Sequence, residues 1–153
     1  MSALGLFVVK IIGPKLVRAK SGLVVLGWGV SIASLALTGI LQGIIIPHSA
    51  QYIPQAGVGI LGVALYYGGI FGLSILAGWV LADISKAVLG FFVSYGVGLF
   101  LTFLALVGPG LAGVIPESVA ELSAIVFAFT ALFPLAFLAG LVGAVLGATS
   151  SEA

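Results

Sequence analysis

The scarcest thing in this chain of 153 residues is charge: 6% of its residues are Asp, Glu, Lys or Arg, against 62% hydrophobic. A soluble domain of this size needs far more polar surface to face water. Cysteine is absent altogether, which removes disulfides, thiolate nucleophiles and cysteine metal sites. Asparagine is also missing, and histidine occurs once, as His48. A metal centre or a paired-histidine haem site needs more ligands than that. The sequence contains no phosphate-binding glycine loop, no HExxH and no nucleophile elbow, the patterns by which the commonest catalytic sites announce themselves. The expectation is therefore a protein that is not an enzyme, takes no cofactor and binds no nucleic acid.

What is abundant is uninterrupted apolar length. Residues 22–46, 58–82, 87–107 and 122–146 form four runs free of Asp, Glu, Lys, Arg and His. Each exceeds the roughly 20 residues with which a helix rising 1.5 Å per residue crosses about 30 Å of hydrocarbon. Backbone polar groups in lipid must be satisfied within the segment, so helices are predicted. A transmembrane β-barrel would alternate polar and apolar residues, which these runs do not. Because intramembrane proton and sodium carriers need an ionisable group within the spans, ion pumping is not expected either.

The few charges are placed unevenly. Lys10, Lys15, Arg18 and Lys20 precede the first run, and Lys86 lies between the second and third. With four spans these positions share one side of the membrane, while the other side carries only Glu117 and Glu121. The positive-inside rule then predicts cytoplasmic termini, in the plasma membrane, with Trp28, Trp79, Phe91 and Phe92 as an interfacial belt. Residues 1–20 alternate short apolar runs with cations, order opposite to that of a cleavable signal, and read as an interfacial N-terminal helix. Asp83 or Ser85 is suited to cap the third helix.

The sequence also repeats itself. "VLGWGVS" at 25–31 returns as "VLGFFVS" at 88–94, and "PHSAQYIP" at 47–54 returns as "PGLAGVIP" at 109–116. "IFGLSILAGWVLA" at 70–82 matches "LFPLAFLAGLVGA" at 132–144, through Phe71/Phe133, Leu73/Leu135, Ala77/Ala139, Gly78/Gly140 and others. Composition alone would match roughly one position in nine; these windows match far more often, in order and at an offset of 63 residues in the first block and 62 in the other two, which one gap reconciles. The reading is a duplicated helical hairpin, residues 21–84 and 85–148, followed by a short tail, 149–153. Two spans per unit give both copies the same orientation, related by a pseudo-two-fold axis along the membrane normal. Pro47 and Pro109 are expected to stop a helix, and Pro54 and Pro116 to open the next. His48, in this outer loop, has glycine (Gly110) as its repeat mate and reads as a loop residue rather than a ligand.

Helices in lipid associate through close backbone approach and interhelical hydrogen bonds, so small residues four apart mark seams. Gly90, Ser94, Gly98 and Thr102 form one such series; Ala64, Gly68 and Gly72 another; Ser74, Gly78 and Ala82 a third; Ala136, Gly140, Ala144 and Ala148 a fourth. One four-helix bundle does not use so many faces internally, which points to further subunits or copies of the chain as partners. Ser31, Ser34, Thr38 and Gln42 share a narrow arc of the first helix. With Tyr67 they are either a candidate polar path or helix-to-helix hydrogen bonding. Pro134 breaks the fourth run opposite its repeat mate Gly72, which makes this pair a candidate hinge or a static kink.

In outline, the glycine-rich duplicated hairpins and the length resemble the four-helix proteolipids of rotary ATPases. That resemblance implies a mid-membrane carboxylate near Thr130, where this chain has none, and the opposite placement of the termini, so ion translocation is not carried over. The expectation is an all-α membrane protein that works by helix association, as a small subunit or a self-assembling block. The competing expectation is an oligomeric channel or small carrier for an uncharged or small solute.

Overall fold

The computed structural model describes residues 3–45 and 60–152, and the side chains of residues 20–45 and 60–151. Its elements are α1 (Ala3–Leu41), α2 (Ile60–Leu81), α3 (Ile84–Leu111), α4 (Glu117–Leu132) and α5 (Leu135–Glu152), with no strand among the described residues. Lys20–Leu41, α2 and α3 are each long and apolar enough to cross a membrane, and α4 with α5, bent by 45° at their junction, make a fourth if the pair is taken as one broken span. Leu23, Leu61, Leu65, Leu89 and Phe100 are among many large apolar side chains left exposed. A surface of that kind suits hydrocarbon, not water, as expected of an integral membrane protein. Pro47, His48 and Pro54 lie outside the described residues.

Local chemistry sets the helix ends. α1 runs unbroken past Gly13 and Pro14 into the first span, so residues 3–20 and the span form one helix. At its other end the amide of Ile44 bonds the Gly39 carbonyl at 2.8 Å and that of Gly43 bonds Ile40 at 3.0 Å. Gly43 sits at φ +66°, completing a Schellman motif that satisfies the last carbonyls. α3 ends the same way, through Val114 to Pro109, Gly113 to Gly110, and Gly113 at φ +71°. Pro109 therefore does not stop α3 as predicted but lies inside its final turn. There the lost N–H costs one hydrogen bond and the helix ends two residues later anyway. Pro116 immediately precedes α4 as its N-cap.

Between α2 and α3 the chain turns within Ala82 and Asp83, with Ala82 at φ 48°. Asp83 caps α3: its Oδ1 accepts from the Lys86 amide at 3.0 Å, and its Oδ2 lies 3.3 Å from Lys86 Nζ. The amide hydrogen bond first, and then the Lys86 side chain, hold the Asp83 carboxyl below its ordinary pKa.

Extensive seams join α1 to α3 and α2 to α5, with α4 lying along α3. They are close because they are lined by residues with little or no side chain. A Cβ on Gly29 would lie 2.8 Å from the Ser94 carbonyl oxygen, and one on Gly98 would lie 2.9 Å from Ile32 Cγ2. Across α2 and α5 the approach is closer still: a Cβ on Gly78 would run into the Ala144 carbonyl and one on Gly147 into that of Ile75. The centre is filled by Phe91, Ile32, Ile70 and Leu132, all fully buried. Trp28 and Phe91 belong to this core, 4% and 0% exposed, with ring centroids 5.8 Å apart. They are not part of an interfacial belt, because their faces of α1 and α3 point at neighbouring helices; Trp79 and Phe92 do face outward.

Gly78→Leu is expected to lower stability by about 1–3 kcal/mol or more, since the added side chain has only backbone to meet. Val80→Leu, two residues on and on the exposed face, should stay within about 0.5 kcal/mol. Circular dichroism during SDS titration of mixed micelles distinguishes the two; equal midpoints would contradict the seam.

Candidate functional site

The residues singled out by spacing separate into inner and outer sets. Gly90, Ser94, Gly98 and Thr102 are all buried along α3. Ser94 Oγ lies 2.8 Å from the Val25 carbonyl of α1 and 2.7 Å from that of Gly90, so its one proton is shared between an interhelical and an intrahelical acceptor. Ala136, Gly140, Ala144 and Ala148 are buried along α5, with Ser74 and Gly78 of α2 buried opposite. Gly140 also makes room for Phe91, whose Cε2 would sit 2.6 Å from a Cβ there. By contrast Ala64 and Gly68 are exposed and Gly72 is half-buried. A Cβ on Gly68 or Gly72 would meet nothing within 4 Å.

The polar stripe of α1 lies mostly outside. Ser34, Thr38 and Gln42 are exposed, and Gln42 has already left the helix. Ser31 borders a shallow groove with Trp28, Leu73 and Ala77. The hydroxyls of Ser31, Ser34 and Thr38 donate to the carbonyls of Gly27, Val30 and Ser34 at 2.8–2.9 Å, so each is satisfied by its own helix. Tyr67, half-buried on α2, packs edge-on to Tyr66 at 5.0 Å. The monomer does not gather these five residues around one interior path.

The break in the fourth span brings together residues that spacing did not mark. α4 ends at Leu132 and α5 begins at Leu135, with a cis Phe133–Pro134 peptide between them. The final carbonyls of a helix lack intrahelical partners. The Ala131 carbonyl finds one in the buried hydroxyl of Tyr66, which donates to it at 2.7 Å from α2. The Thr130 hydroxyl donates to the Val126 carbonyl at 2.7 Å, one turn back in its own helix. Gly72 sits within unbroken α2, so no matching break stands opposite Pro134.

Aromatic rings brace this junction. Phe133 stacks on Phe129 at 4.7 Å and on Phe137 at 5.3 Å, while Tyr95 meets Phe133 and Phe137 edge-on at 5.4 and 5.2 Å. Such offset and edge geometries suit the ring quadrupoles. The signal was present in the sequence as Phe129, Phe133 and Phe137, and as Phe91 and Tyr95, each four apart. Tyr95 Oη, Ser74 Oγ and Trp28 Nε1 are buried here without a protein partner. Groups so placed are costly in a low-dielectric interior. Among the described residues no three metal-ligating side chains stand together.

No family model matches the chain, and no curated protein or solved structure is significantly similar to it.

Tyr66→Phe removes the donor at the break and leaves the Ala131 carbonyl unpaired, at an expected cost of about 1–3 kcal/mol. Hydrogen exchange read by mass spectrometry should show faster exchange confined to the α4–α5 junction. Unchanged protection there would contradict a bracing role.

Proposed function

We propose that this protein is a non-catalytic multi-pass membrane protein that acts through helix–helix association, as a small subunit of a larger membrane complex or as a self-assembling block. The observation that carries the reading is the outward face of α2. Ala64 and Gly68 are exposed, and Gly68 and Gly72 would accept a Cβ with nothing in contact. The other small-residue series are buried within the chain except for Ala82, which lies in the turn after α2; this one is left for a neighbour. In lipid, where close backbone approach is the main source of helix affinity, such a face suits a second helix.

The duplication fits the same reading. α1 packs on α3 and α2 on α5, so the helices that the sequence repeat matches lie side by side, each small-residue seam joining one copy to the other. The basic residues favour cytoplasmic termini.

An oligomeric channel or small carrier is the second reading, favoured by one observation: Ser34 and Thr38 present hydroxyls on the outer surface of α1. Any polar path would then run between protomers, not through one.

Gly68→Leu should shift the assembly to smaller particles in native mass spectrometry of the gently extracted protein, while its SDS unfolding midpoint stays within about 0.5 kcal/mol of the parent. Retention of the full assembly would overturn the role of α2. For the channel, Thr38→Val should change solute flux in liposomes without dissociating the protein; flux equal to that of empty liposomes over a broad solute panel would eliminate that reading.

A further inference from the structure

The end of the bundle where α2 turns into α3 holds two adjoining cavities of opposite character. One, of about 220 Å³, is lined by Lys20, Ser21, Val24, Val80, Leu81 and Lys86. The other, of about 300 Å³, shares Ser21, Leu81 and Lys86 and extends along Val25, Leu89 and Val93. From Lys86 to Val93 is seven residues, a helical rise of about 10 Å, so the lining passes from cationic to hydrocarbon over that depth. Gly90 forms part of the second cavity, and a Cβ there would lie 3.0 Å from Leu81 Cδ1 and 3.2 Å from Val25 Cγ2. The groove between α1 and α3 is kept open by the lack of a side chain at that point.

This polarity profile, the ammonium groups of Lys20 within α1 and Lys86 at the start of α3 beside a slot of aliphatic walls, is that of a phospholipid in reverse. We infer that the composite cavity is a binding site for an anionic phospholipid of the adjoining leaflet. Its phosphate lies between Lys20 and Lys86, and the first part of one acyl chain lies along Leu89 and Val93. Basic pockets between transmembrane helices recognise acidic headgroups in this manner. Asp83 also faces the site, through its 3.3 Å pair with Lys86. That pair is exposed and therefore weak, an ammonium carries three donors, and two lysines against one carboxylate leave the pocket cationic. The inference depends on the helices lying in a bilayer but not on how the protein assembles.

The test uses the full chain in detergent micelles, titrated with phosphatidylglycerol or phosphatidylcholine of matched chains and read by native mass spectrometry. Phosphatidylglycerol should be retained in preference to phosphatidylcholine. The double variant Lys20→Gln/Lys86→Gln should lower that retention about tenfold or more. Val93→Trp should lower it through the groove alone. All three positions are exposed, and unchanged circular dichroism identifies the folded variants. Millimolar inorganic phosphate should fail to displace the lipid, because the chain contributes to its hold. Equal retention of the two lipids, undiminished retention in the double variant or in Val93→Trp, or displacement by phosphate would each overturn the proposal.

Discussion

Close approach of backbones is the constraint on which the rest of this structure depends. In lipid the outward Leu and Phe side chains are as comfortable as the inward ones, so burying apolar surface does not by itself hold helices together. What remains is dispersion between closely apposed surfaces, with weak Cα–H···O contacts where carbonyls come near. Gly78 against Ala144, Gly147 against Ile75 and Gly29 against Ser94 supply that apposition. A single methylene at any of them separates the helices along the whole seam, because a rigid helix cannot yield at one residue without moving the next.

Hydrogen bonding follows from the same absence of water. Two helices end in Schellman motifs, three hydroxyls of α1 fold back on their own carbonyls, and Tyr66 crosses to the break at Ala131. Each arrangement answers a polar group that has no solvent to turn to. Among the described residues, the buried side-chain atoms left without a protein partner are on Trp28, Ser74 and Tyr95, all within the core. The long, uninterrupted seams of α1 with α3 and of α2 with α5 allow the fourth span to be broken at Pro134 without loss of the bundle.

Once the inner seams are assigned, the outer surface divides into regions of different chemistry. Most of it is aliphatic and suited to acyl chains. The Ala64–Gly68–Gly72 strip of α2 lacks the bulk that lipid contact favours and resembles the inner seams. Near the turn between α2 and α3, Lys86 of α3 and Lys20 of α1 stand beside an apolar groove. The face proposed for association and the site proposed for lipid thus fall on separate parts of the molecule.

Four apolar runs of more than 20 residues without period-two alternation determine helical segments whatever they touch, but not the break that divides the fourth run into α4 and α5. Capping by Asp83 was likewise readable, being a local matter of one side chain and the amide three residues on. Small-residue spacing marked which faces permit close contact, but four such series on three helices do not state their partners. Only the tertiary structure decided that the Gly90 and Ala136 series are consumed inside while the Gly68 series faces out. The same holds for Ser34 and Thr38, whose shared arc on α1 is a property of helical pitch while its direction is a property of packing. Pro109 and Tyr66 mark the limit in opposite ways. A proline's effect depends on how many turns follow it, and a tyrosine's on a carbonyl sixty-five residues away, and neither distance is written in the neighbouring sequence.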